Sequence, residues 1–122
     1  MDTSAVLASL WNEPGAARVD EVIAEARISA VNLSELIAKL VDRGASDDQV
    51  GDILAALNLE VEAFSAGQAR LCGELRRTTR AFGLSLGDRC CLALAQSENA
   101  LVLTADRAWA SLETDVEIEV IR

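Results

Sequence analysis

The sequence predicts an α/β domain in which helices flank a central, mainly parallel sheet. Short β-branched apolar runs alternate along the chain with segments of helical periodicity, the pattern of strand–helix–strand units. At 122 residues and 51% apolar content, the chain suffices for one domain with a real core. No internal repeat, low-complexity tract or linker divides it, so residues 1–122 read as a single domain.

The elements follow in order. AVLASLW reads as a short helix, broken after it by NEPG, which holds the single proline, Pro14. GAARVDEVIAEA reads as a second helix. RISAV is short and β-branched, and a helical pattern follows at once. There Leu33, Leu36, Ile37 and Leu40 recur at the i, i+3, i+4, i+7 spacing of one buried face, and Gly44 lies near a C-cap position. Ser46 with Asp47 and Asp48 caps the next helix, SDDQVGDILAALN. LEVEAF alternates as a strand does. AGQARLCGELRRTTRAF reads as a longer helix stopped by Gly83, then LGDRCCLALAQSE as another. ALVLTA is a buried strand, AWASL a stub helix, and EIEVI a final strand.

The residues that are lacking narrow the chemistry. There is no histidine, which removes Ser-His-Asp triads, Cys-His pairs and His-containing zinc sites. The three cysteines, Cys72, Cys90 and Cys91, make neither a disulfide framework nor C-x-x-C pairs, and CCLALA reads as core. No apolar run approaches the roughly 18 residues of a membrane span, and no basic-then-apolar leader opens the chain, so a soluble cytoplasmic protein without membrane contact is expected. The net charge of −9 opposes nonspecific coating of nucleic acid. It leaves room for a nuclease, whose acidic site is neutralised by metal in use. Ten of the eleven cations are Arg; Arg70, Arg76, Arg77 and Arg80 cluster, either as a solvated helix face or as phosphate contacts.

Four acids stand where apolar runs give way to helices: Asp2 in DTSAVLA, Glu35 in ISAVNLSEL, Asp88 in GLSLGDRCCLALA and Asp106 in LVLTADRAW. Carboxylates alone can hold a hard cation such as Mg²⁺. Each has an ordinary structural explanation. Asp2 and Asp106 occupy cap positions, and Asp88 stands three residues after Ser85, as in a capping box. Glu35 points away from the leucine face and lies four residues before Lys39, the spacing of an exposed ion pair. Their place changes the weighing: ligands of open parallel sheets bind beyond the carboxyl ends of the strands, where strand leads into helix.

Those four strings, in that order, resemble the PIN-domain toxins of bacterial VapBC toxin–antitoxin pairs, and the likeness covers nearly the whole chain. The resemblance implies a PIN-like fold and an endoribonuclease dependent on Mg²⁺ or Mn²⁺. By motif it makes Asp2, Glu35, Asp88 and Asp106 the metal-binding and catalytic acids, and Thr3, Ser4 and Thr104 supporting polar residues. It also implies an RNA substrate, a homodimer and inhibition by a small cognate antitoxin. Leu7, Leu10 and Trp11 are candidates for the partner groove, with core packing the other reading.

One departure from that family is plain: its members carry an apolar strand before the first aspartate, whereas here Met1 directly precedes Asp2. The first strand is therefore expected as a stub, with an apolar strand expected upstream. No side chain reads as a general base, so a metal-activated water is the expected nucleophile. Arg89, beside Asp88, is placed either to touch substrate phosphate or to pair with a neighbouring acid. Four aromatics, Trp11, Phe64, Phe82 and Trp109, are too few for a base-stacking platform. Two rivals remain. A phosphoacceptor receiver needs a lysine after a late strand, but the only lysine is Lys39 on an early helix. A non-catalytic PIN-like module that binds RNA or protein is the alternative reading.

Overall fold

Four short parallel strands and seven α-helices make up the protein, as described by a computed structural model of residues 1–122. The helices are α1 (Thr3–Leu10), α2 (Ala16–Asp20), α3 (Ala30–Asp42), α4 (Asp47–Leu57), α5 (Ala66–Glu74), α6 (Arg76–Thr79) and α7 (Leu86–Glu98). The strands are β1 (Arg27–Ser29), β2 (Glu60–Glu62), β3 (Val102–Thr104) and β4 (Ile118–Val120). β1 pairs in parallel with β2, Ile28 opposite Val61; β3 pairs in parallel with β4, Leu103 opposite Glu119.

The sheet therefore comes in two halves, and the first two residues lie between them. The Met1 ammonium donates to the Arg27 carbonyl of β1 at 2.7 Å. The Asp2 amide donates to the Leu103 carbonyl of β3 at 3.0 Å. Met1 and Asp2 belong to no strand, yet together they bond to a strand on either side.

Local chemistry explains most boundaries. Ser46 and Gln49 form a complete capping box at the start of α4, and Ser85 and Asp88 do the same for α7. Asn58 and Asn99 end those two helices in the left-handed region that asparagine tolerates better than most residues. Two expected helices are shorter than their sequence patterns. GAARVDEVIAEA gives only α2 and a 3₁₀ turn at Ile23–Glu25, because the β-branched Val22 leaves helical geometry. AGQARLCGELRRTTRAF divides into α5, α6 and a 3₁₀ turn ending at Gly83. The expected stub helix around AWASL is a 3₁₀ turn, Arg107–Ser111, that ends before Leu112.

α7 is the central helix, packing on α5 and α3 and reaching both β1 and β3. One core joins Val6, Leu7, Ile28, Leu36, Leu40 and Val50 across α1, β1, α3 and α4. A second gathers Leu84, Cys91, Leu92, Ala95, Val102 and Trp109 around α7 and β3. Leu7 is thus core rather than groove, while Leu10 and Trp11 are partly buried against the same cluster. Trp11 stacks under the Arg43 guanidinium at 3.6 Å. No helix is long and apolar enough to cross a membrane.

Candidate active site

Asp2 is 5% exposed and caps α1. Its Oδ2 accepts from the Ser4 amide at 3.3 Å, from the Ser4 hydroxyl, and from the Thr104 hydroxyl at 2.8 Å. Ser4 in turn accepts from the Ala105 amide at 2.9 Å, and Thr104 from the Asp106 amide at 3.1 Å. The start of α1 is thereby tied to the chain leaving β3. Burial raises the Asp2 carboxyl above its ordinary pKa; the Ser4 and Thr104 bonds oppose the rise, and the charge of Asp88 adds to it. Asp88 therefore stands within electrostatic reach of Asp2.

Glu35 does not form the surface ion pair its spacing allowed: no contact joins it to Lys39. Its carboxylate turns inward, with Oε2 3.0 Å from the Thr3 hydroxyl and 3.2 Å from Asn32 Nδ2. Asn32, fully buried, also donates to the Gly87 carbonyl at 3.1 Å and so joins α3 to the first turn of α7. A Cβ at Gly87 would collide with the Glu35 carboxylate. Asp88 follows immediately, its Oδ2 accepting from the Ser85 amide at 2.8 Å.

The same division recurs at all four acids. Every protein hydrogen bond to Asp2 falls on Oδ2, to Glu35 on Oε2, to Asp88 on Oδ2 and to Asp106 on Oδ1. The second oxygen of each accepts nothing from the protein. None of the four takes part in any of the seven ion pairs. Asp2, Glu35 and Asp88 are thus brought to one edge, around the first turn of α7. Asp106 is different: it is exposed and caps the 3₁₀ turn after β3 through the Ala108 amide at 2.9 Å. No three acidic, histidine or cysteine side chains are grouped closely enough to enclose an ion.

A family model, the PIN domain, matches residues 1–114. The chain belongs to the PIN-domain family. Among solved structures, it is similar to VapBC2 from Rickettsia felis, crystallised bound to a DNA fragment from its promoter. The TM-score is 0.70 at 23% identity, over 94% of this chain and 91% of the other, a likeness of fold. No curated protein sequence matches this chain.

In this PIN domain the donors are of the type a hard divalent cation takes, oxygen only, with three carboxylates that each keep a free oxygen and pair with no cation, though as placed no three side chains could hold an ion. Arg89 does not form the acid pair that its position beside Asp88 allows. Its guanidinium donates to the Cys72 carbonyl of α5 at 3.2 Å and pairs with no acid. Of the arginine cluster, Arg70 pairs with Glu74 at 3.0 Å, while Arg76, Arg77 and Arg80 are exposed and unpaired. Asn32 and Gly87 were not among the site residues read from sequence. A signal for Gly87 existed: glycine in a first helical turn costs about 1 kcal/mol relative to alanine and calls for a reason. Asn32 offered only a polar residue next to an apolar stripe.

Proposed function

We propose that this PIN domain is a metal-dependent endoribonuclease, the toxin of a type II toxin–antitoxin pair, that hydrolyses RNA phosphodiester bonds. The observation that carries the reading is the link between the three acids: Thr3, next to Asp2, donates to Glu35, whose carboxylate abuts Gly87, next to Asp88, and each acid has one oxygen anchored and one free. Like charges at a buried edge repel at low effective dielectric, and a cation relieves that repulsion.

Asp2, Glu35 and Asp88 would hold Mg²⁺ or Mn²⁺, with Asp106 orienting the outer face through water. The metal, when bound, supplies a water of lowered pKa and neutralises charge at the phosphoryl oxygens. The chain's own part is positional. Thr104 and Ser4 hold the Asp2 carboxylate by one oxygen, and Thr3 and Asn32 do the same for Glu35. Locking these rotamers leaves the free oxygens preset, which lowers the entropy lost on binding. The exposed Arg76, Arg77 and Arg80 supply cations for an RNA backbone in an otherwise acidic protein.

The solved VapBC2 structure is bound to a DNA fragment from its promoter. We propose that this protein acts with a small antitoxin carrying a basic segment, suited to a partner of net charge −9, as a homodimer in the cytoplasm; the likeness of fold to VapBC2 supports the antitoxin partner. The deciding experiment incubates purified, partner-free protein with total RNA in Mg²⁺ or Mn²⁺, then with EDTA. Metal-dependent cleavage abolished by EDTA and by Glu35→Gln supports the reading. A protein that binds RNA or its antitoxin without cutting in either metal is a non-catalytic PIN-like module, and the enzyme reading then fails.

A further inference from the structure

The adjacent cysteines of α7 serve different cores. Successive residues of a helix point about 100° apart. Cys91 packs with Leu84, Leu92 and Trp109. Cys90 packs instead with Ala93 and with Cys72 of α5. There the Sγ atoms of Cys72 and Cys90 stand 3.3 Å apart, and both residues are buried. The two are free thiols in contact.

The start of α7 rests on Cys72 in two further ways. The Arg89 guanidinium donates to the Cys72 carbonyl at 3.2 Å. The Cys72 thiol lies 3.9 Å from the Leu86 carbonyl oxygen. Three residues of the first two turns of α7 therefore meet this one residue of α5, and they hold the two sulfurs as fixed neighbours. No other pairing of the three cysteines has this support. Cys90 and Cys91 have Cα atoms about 3.8 Å apart, short of the roughly 4.4–6.8 Å that a disulfide spans. Cys91 faces the other core, away from Cys72.

We propose that Cys72 and Cys90 are an oxidation site, a dithiol that a low-molecular-weight disulfide converts into a disulfide bond joining α5 to α7. The sulfur of one cysteine attacks the S–S bond of the oxidant, forms a mixed disulfide and releases half of the oxidant as a thiol. The sulfur of the other cysteine then attacks the mixed disulfide, forms the Cys72–Cys90 bond and releases the second half. Both cysteine protons leave on the two released thiols, so the oxidant gains the two electrons that the cysteines lose. Burial keeps a reagent of this size from the folded pair, so exchange takes place as the chain folds or opens. In a reducing compartment the pair rests as two thiols. Cys90 lies two positions past Asp88, so the bond fixes against α5 the part of α7 that carries this acid. The inference concerns the covalent state of the chain and is independent of nuclease activity.

The test refolds the denatured protein in a mixture of reduced and oxidised glutathione, alkylates the remaining thiols and maps the links by mass spectrometry. The expected main product carries a Cys72–Cys90 bond with Cys91 alkylated. Its thermal midpoint should rise by at least about 5 °C and return to the original value in dithiothreitol, because the bond closes a span of 18 residues in the unfolded chain. Cys91→Ala should keep both the link and the rise, and Cys90→Ala should lose both. Links spread evenly over the three possible pairs overturn the proposal, as do glutathione adducts that persist on Cys72 or Cys90. A linked chain that melts at or below the reduced one overturns it too, since the native packing then does not accept the bond.

Discussion

The carboxylate of Glu35 occupies the space that a side chain at residue 87 would need, so the inward rotamer of Glu35 depends on Gly87 having none. Two residues that are 52 positions apart in sequence are thus a single packing unit. Asn32 closes it, donating to Glu35 at 3.2 Å and to the Gly87 carbonyl at 3.1 Å.

Gly87→Ala is expected to turn the Glu35 carboxylate away from Thr3 and Asn32, costing about 1 kcal/mol for the lost hydrogen bonds, offset in part by the better helix propensity of alanine. Denaturant midpoints measure it. In a Glu35→Ala background the loss should largely vanish, since the clashing carboxylate is gone. An equal loss in both backgrounds would mean that the two residues do not share the space.

Glu35→Gln keeps the shape and the acceptor oxygen facing Thr3 and Asn32, but removes the charge. Folding stability should change by less than about 0.5 kcal/mol, while Mn²⁺ affinity and RNA cleavage are lost together. Full cleavage by this variant at normal Mg²⁺ would falsify the ligand assignment.

Asp88→Asn tests the same proposal from the other helix. Asparagine still accepts from the Ser85 amide, so the capping box survives in part and stability stays within about 0.5 kcal/mol. Cleavage should fall with metal affinity. Ser85→Ala makes the contrast: about 1 kcal/mol of helix stability lost, with metal affinity reduced only as far as Asp88 loosens.

Asp2 sets a pH dependence opposite to that of an ordinary paired carboxylate. Its folded pKa lies above the unfolded value of 3.8, so above that value burial of the carboxyl is a penalty on the folded state. As pH falls through the folded pKa, the native state takes up a proton first and the penalty is relieved. Asp2→Asn should therefore be more stable than the parent at pH 7, with an advantage that shrinks as pH approaches about 4. An advantage of constant size at every pH would refute the linkage.

Cys91 is 3% exposed, and burial pushes its thiol up to about 12. The native thiol stays protonated where the unfolded one, near 9.0, ionises. Its contribution to stability is complete below pH 9 and erodes, at about 1.4 kcal/mol per pH unit, as pH rises toward 12. Thiol reagents at pH 8 should leave it unlabelled until the chain unfolds, and Cys91→Ala should flatten the alkaline limb of the stability curve.

Much of this fold was legible because its signals are local. Capping residues such as Ser46 and Ser85 declare helix starts whatever surrounds them, and the four strands lie inside the apolar runs RISAV, LEVEAF, ALVLTA and EIEVI. The ordered acidic motifs also point to the family whose model matches residues 1–114. What failed locally failed for a reason: the second helix stopped early because Val22 left helical geometry, a choice that periodicity does not record.

The sequence by itself determined the element types, the α/β class and the chemical inventory of acids without histidine. Tertiary structure alone decided what those acids do. Glu35 reads from the helical wheel as a solvated partner of Lys39, but a wheel describes one helix, and α7 covers the face the wheel leaves open. Asp2 reads as a simple cap, yet the chain leaving β3, a hundred residues later, supplies the Thr104 hydroxyl that holds it. Burial, and with it the raised pKa of Asp2 and the one-sided anchoring of each carboxylate, arises only when separate segments exclude water from the same place.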